Sequence, residues 1–188
     1  GPPSPLRETP MTWSHTLLRN GEFSLDAGCM FGLIPRVVWT RWLEPDDKNR
    51  MQLQQNALLL EADGKLVLIE CGIGDKLSDK ELKMYACSRR AVHDSLHEID
   101  CDPKDISAVV LTHLHFDHSG GCTKLDRSGS AVPTFPKAEY MVQQSCWDEA
   151  MDPNERFEDS FHKDDFLPLK EKGVLKTIDG DIEVMPGV

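Results

Sequence analysis

Apolar positions along this chain fall into short runs separated by Gly, Pro and Asp, and the spacing within each run predicts the element it forms. In "NALLLEADGKLVLIECG" two apolar runs meet at Asp63-Gly64. That dipeptide favours the positive φ angles of a tight hairpin turn, so strands are expected at 57–62 and 65–70. Nearly every residue of both runs is apolar, which predicts cover on both faces inside a layered α/β fold. Residues 22–43 are apolar but interrupted by Gly28, Gly32 and Pro35, the pattern of a strand running into a hydrophobic loop. Over 78–100, Val92, Leu96 and Ile99 recur at helical spacing, and Ser78 with Glu81 forms a capping box, so a helix is expected. Pro103 ends it. "SAVVLTH" is then a short buried strand, Gly120-Gly121 a flexible turn, "AEYMVQQ" a strand and "SCWDEAM" a short helix. "DPNERFEDSFHKDDFLPL" reads as a charged loop or helical insertion, and "VLKTIDGDIEVMPGV" as a hairpin turning at Asp179-Gly180.

Composition changes this picture little. With 39% hydrophobic and 28% charged residues in 188, the chain has an ordinary globular balance and enough length to bury a core. The proline-rich start has no periodicity, so residues 1–10 are expected to be a tag scar or disordered tail and 11–188 a domain. The net charge of −11 argues against a nucleic-acid surface and against anionic membranes. No apolar run approaches the length of a membrane span. The six cysteines form no CxxC pair, which fits reduced thiols in a cytoplasmic protein.

The candidate chemistry is concentrated in "LTHLHFDHSGG", residues 111–121. His113 and His115 are two apart, so on leaving an extended strand their imidazoles share a side. Asp117 and His118 follow in a turn and can approach the same point. Imidazole nitrogen and carboxylate oxygen suit zinc, and also iron or manganese. Four ligands exceed what one catalytic metal uses, so two metals sharing the cluster is the natural alternative. The site would sit at the carboxyl end of a strand, where α/β folds place ligands.

"THLHFDH" resembles the His-x-His-x-Asp-His motif of the metallo-β-lactamase fold superfamily. "GCMFGLIPRVVWTRW", "ALLLEADGKLVLIECGIGDK" and "FPKAEYMVQQSCWDEAMDPNER" extend the likeness, over roughly residues 20–188, to the N-acyl homoserine lactonase branch of quorum-quenching hydrolases. The resemblance implies an αββα sandwich, of which this chain supplies the N-terminal half and a little more. It implies two divalent metal ions, zinc foremost. One would be bound by His113 and His115, the other by Asp117 and His118, with Asp117 also orienting the attacking metal-bound hydroxide or shuttling its proton. It further implies hydrolysis of a lactone or related ester, with Met30 and Phe31, and less so Trp39 and Trp42, lining an acyl pocket.

Two departures from the family pattern stand out. Where an aspartate usually ends the hairpin, this chain has Glu70, expected to brace the metal loop through hydrogen bonds. The family's third metal histidine, bridging aspartate and final histidine have no counterpart before Val188, and His162 is out of register for such a role. A C-terminal part or a partner chain, with a homodimer also possible, is therefore expected to complete the site. The sheet should otherwise expose an apolar face. Other hydrolases of the fold act on thioesters, β-lactams or phosphodiesters. A non-catalytic metal-binding or docking module is the alternative of another class. His93 and His97 lack the intervening glutamate of a zincin helix and are expected to face solvent. Cys71 and Cys122 are expected to be core thiols.

Overall fold

The computed structural model describes residues 12–188; the expected N-terminal tail lies outside the described residues. Strands β1 (Ser14–Asp26), β2 (Arg50–Ala62) and β3 (Lys65–Ile69) form an antiparallel meander. The hairpin turns where Asp63-Gly64 predicts, both residues having positive φ. β2 begins seven residues earlier than expected, because residues 50–56 pair with the first strand across a bulge between Arg19 and Glu22. Between β1 and β2 the predicted hydrophobic loop winds into two short helices, α1 (Ala27–Phe31) and α2 (Arg36–Trp39). Asp26 caps the first of these by accepting from Gly28 N.

The helix expected over 78–100 is two helices, α3 (Asp79–Met84) and α4 (Val92–His97). The Ser78–Glu81 capping box forms as predicted. The break has a tertiary cause. Ala86 takes a positive φ, and the Arg89 guanidinium beyond it donates to the carbonyls of Asp75 and Leu77 and pairs with Asp79. Val92 and Leu96 are fully buried, but Ile99 lies past the helix end and is 43% exposed.

The chain then turns through a 3-10 segment at Pro103–Asp105 into β4 (Ala108–Val110), and past α5 (Phe116–Ser119) into a small hairpin, β5 (Thr123–Leu125) and β6 (Ala131–Pro133). β7 (Glu139–Gln143), α6 (Gln144–Met151), α7 (Leu167–Glu171) and β8 (Leu175–Ile178) follow. The main sheet has the order β1-β2-β3-β4-β7-β8, with the last three pairings parallel. The expected final hairpin does not form: after Gly180 no further strand occurs among the described residues, and Gln143 Nε2 instead caps the Gly180 carbonyl. All six cysteines are free thiols.

One face of the sheet, with Leu18, Leu59, Leu68, Val109 and Tyr140, packs against α4, α6 and α7 in a continuous core. The Tyr140 hydroxyl is satisfied inside it, donating to Cys122 O and accepting from Phe135 N. The opposite row runs through Leu17, Leu58, Ile69 and Val110 by strand register. Leu17 is exposed and Leu58, Ile69 and Val110 are half-buried, but Val67, Ala108 and Met141 on the same face are buried, so the second face of the hairpin is covered in part.

Gly120-Gly121 is not a flexible turn. The two glycines sit in a buried 3-10 turn, Gly120–Cys122, pressed against residues 71–74. A Cβ on Gly120 would lie 2.0 Å from Ile73 O, and one on Gly121 2.2 Å from Cys71 O. Gly120→Ala is therefore expected to destabilise the protein by about 3 kcal/mol through backbone displacement. Gly129→Ala, with nothing within 4 Å but a positive φ, should cost only about 1 kcal/mol. Guanidinium denaturation of both variants checks the difference.

Candidate metal centre

β4 is an inner strand, and its carboxyl end delivers the chain directly to the histidine motif. After β4 the chain bends at Thr112 and reaches His115, which stands at the N-cap of α5 in an extended conformation with ψ of 150°. Asp117 and His118 then fall in the single turn of that helix. The geometry brings the predicted residues together. The His113 ring centroid lies 4.1 Å from that of His118 and 4.6 Å from that of His115, and Asp117 Oδ2 is 3.4 Å from His118 Nε2.

Glu70 organises this group from the end of β3. One carboxylate oxygen accepts from Thr112 N at 2.7 Å, and the other is hydrogen-bonded to His118 Nδ1. Glu70 has a φ of 69°, a left-handed conformation uncommon for a residue with a Cβ, and its side chain reaches the loop from there. Burial works to raise its pKa, but the hydrogen bonds from His118 and Thr112 prevail and hold the carboxyl below the ordinary range. With Nδ1 engaged, His118 presents Nε2 toward Asp117. Burial lowers the pKa of His113 and of His115, and the neighbouring imidazoles reinforce the shift at His113. Both are therefore biased to the neutral form that a metal binds. Burial also opposes charge on His118, yet the Glu70 hydrogen bond and Asp117 raise its pKa.

These donors fit a divalent cation in kind and in spacing. Two ligand atoms on arms of about 2.1 Å at the tetrahedral angle stand about 3.4 Å apart, the separation found between Asp117 Oδ2 and His118 Nε2. Among the described residues, however, no group of three or more His, Cys, Asp or Glu side chains is arranged to hold a metal ion. The motif presents donor pairs and not a closed coordination sphere.

Around the cluster, Phe161 packs edge-on to His115 at 4.7 Å, and Phe116 is sandwiched between Tyr85 at 4.8 Å and His162 at 5.1 Å. A cavity of about 710 Å³ opens beside it, bounded by His115, Phe116, Asp117, Tyr85, Met84 and Met30. Phe31 does not line it; its ring stacks on Trp39 at 4.7 Å in a separate cluster with Ala27 and Met51. Trp42 is exposed. Cys71 and Cys122 are wholly buried in the main core, and burial pushes the Cys122 thiol well up. His93 and His97 stand 6.3 Å apart on α4, and His93 is half-buried.

Other contacts have no signal in the sequence pattern. Thr112 Oγ1 is 2.9 Å from His113 Nδ1, leaving the other ring nitrogen free. Lys76, in the loop after β3, and Asp165, in the 3-10 turn Lys163–Asp165, form a buried pair at 3.0 Å. A lysine four residues past an "ECG" and an acid in "HKDD" read as solvated charges; only the fold shows otherwise.

Comparison with known proteins agrees with this architecture. The profile of the metallo-beta-lactamase superfamily matches residues 50–184. An N-acyl homoserine lactonase of Bacillus thuringiensis is 31% identical over 93 residues, half of this chain and 30% of that protein. A ribonuclease of Thermus thermophilus is 31% identical over 97 residues, covering 51% of this chain and 20% of its own length. Among solved structures, a probable metal-dependent hydrolase from Staphylococcus aureus superposes with a TM-score of 0.81 at 29% identity, over 95% of this chain and 63% of that one. The dizinc quorum-quenching lactonase AidC superposes at 0.67 with 18% identity, a likeness of fold, over 94% of this chain and 61% of its own. The chain thus spans under a third of these curated relatives and just over three fifths of the solved structures. With the profile covering most of its length and the histidine motif gathered at the end of β4, the chain belongs to the metallo-beta-lactamase superfamily.

Proposed function

We propose that the protein is a metal-dependent hydrolase that opens a lactone or a related ester. The observation that carries this reading is the pairing of Asp117 Oδ2 with His118 Nε2 at 3.4 Å, the opposite ring nitrogen of His118 being held by Glu70, at the edge of the cavity that Met30 and Met84 help to bound. The lactonase relatives support the ester class.

In this reading His113 and His115 would hold one divalent cation as neutral donors, and Asp117 and His118 would hold a second. When bound, the two cations supply Lewis acidity toward the carbonyl oxygen and make water a stronger acid. The chain does the rest. Glu70 fixes the His118 tautomer and ring plane. Asp117, exposed to the cavity, takes a proton from the attacking water and returns it to the leaving alkoxide. Phe116, Tyr85, Met30 and Met84 form an apolar wall for the acyl portion. Two donors per cation are fewer than the three usual at catalytic sites, so the four motif residues would hold each cation only together with donors from outside the motif. Phosphodiester hydrolysis is the second reading, favoured by the ribonuclease relative and opposed by the net charge of −11.

A panel of acyl homoserine lactones, aryl esters, glutathione thioesters and a phosphodiester, assayed with metal-loaded protein, should show turnover concentrated on the lactones and esters. Preference for the phosphodiester would reverse the assignment. Asp117→Asn should lower kcat by about 100-fold or more, and chelation should abolish turnover reversibly. Retention of full activity by Asp117→Asn would remove the proposed proton carrier. Glu70→Gln should weaken metal binding by about 10-fold or more, read by competition with a chromophoric chelator.

A further inference from the structure

The charged insertion contains a group that the hydrolytic reading does not use. Asp165, in the 3-10 turn Lys163–Asp165, is almost wholly buried, its side chain only 4% exposed. Its partner is Lys76, itself 10% exposed, in the loop that follows β3. The Lys76 ammonium donates to three acceptors: Asp165 Oδ1 at 3.0 Å, Thr123 O at 2.9 Å and Gly120 O. An ammonium carries three donors, so its capacity is filled. The acceptors lie on two separate segments, and two of them are backbone carbonyls within five residues of His118. Thr123 Oγ1 ties the same segments once more, donating to Asp164 O at 2.8 Å.

Burying a separated pair of charges is a poor way to gain stability, because desolvation offsets most of the attraction. Asp165 Oδ2 has no partner of its own, and burial drives this carboxyl up against the pull of Lys76. A device that costs this much and ends on the carbonyls behind the metal loop has a positional use. The insertion it anchors also places Phe161 against His115 and His162 against Phe116. Since α5 is a single turn, its two donors depend on where Gly120 is held.

We infer that Lys76, clamped by Asp165, is a positioning residue for the metal loop: it fixes the Gly120 and Thr123 carbonyls and through them the aim of Asp117 and His118, while joining the insertion to the site. The inference rests on the metal-binding reading above.

Replacing Lys76 alone would leave Asp165 as an unpaired buried charge and confuse folding with positioning. The test therefore uses Lys76→Met/Asp165→Leu, which removes both charges, and Lys76→Arg, which keeps the charge but cannot serve three acceptors from one nitrogen. Cobalt(II) is titrated into metal-free parent and variants, following affinity and the visible absorption of the bound ion. Amide hydrogen exchange of residues 116–123 is measured without metal. Folded variants should bind cobalt about 10-fold or more weakly with an altered spectrum, and exchange at 116–123 should quicken by a similar factor while sheet amides are unchanged. Should the double variant fail to fold, the arginine variant decides. Parent-like affinity and exchange in either folded variant overturns the clamp. A parent that binds no cobalt overturns the metal reading on which the clamp rests, a result distinct from unchanged exchange.

Discussion

Between Glu70 and Lys76 the backbone lies against residues 118–123 so closely that no side chain fits between them, and the rest of the site depends on this contact. Cys71 N donates to His118 O, and Gly121 N donates to Gly72 O, both at 2.9 Å. Glu70 reaches His118 at one end of the contact and Lys76 reaches Gly120 at the other. A Cβ on Gly74 would stand 2.7 Å from Gly120 O, a milder obstacle than those at Gly120 and Gly121 but still inside the closest distance real Cβ atoms keep. Glycine is required at these places for space, and at Gly72 and Gly74 also for a positive φ. The contact turns a one-turn helix, too short to hold itself, into a fixed platform for two donors.

The strut is in turn held by the sheet. It begins where β3 ends, and the motif begins where β4 ends, so two neighbouring parallel strands set the distance between Glu70 and the histidines. Behind it, Gln55 Oε1 accepts from Ile73 N at 2.9 Å, linking the strut to β2. The main core packs under this layer through Leu68, Val109 and Tyr140, while the other face is held by buried Val67, Ala108 and Met141 beside half-buried Leu58, Ile69 and Val110.

Much of this was legible from residue pattern. The hairpin at Asp63-Gly64, the strand before the motif and the gathering of His113, His115, Asp117 and His118 follow from a turn-forming dipeptide, short apolar runs and ligand spacing, which are local properties. The Ser78 cap was legible for the same reason. Errors arose where a distant contact overrides a local preference. Arg89 reaches back to carbonyls of 75 and 77 and breaks a helical pattern that Val92, Leu96 and Ile99 would otherwise extend. Gly120-Gly121 has the composition of a flexible turn, and only the opposing backbone at 71–74 makes it rigid. Lys76 and Asp165 were invisible because burial of a charge is decided by what surrounds it in space. Phe31 shows the same limit from the apolar side: its neighbour Met30 borders the cavity, while its own ring turns away to Trp39.

The central claim is that these four motif side chains, braced by Glu70, are metal ligands. X-ray absorption at the metal edge of zinc-loaded protein tests it most directly. The account predicts only nitrogen and oxygen neighbours at about 2.0–2.2 Å, with the outer-shell scattering of imidazole rings, and a marked fall in that scattering in His113→Ala/His118→Ala. Sulfur at about 2.3 Å, which would place Cys71, Cys122 or another thiol on the metal, or an unchanged spectrum in the double variant, would contradict it.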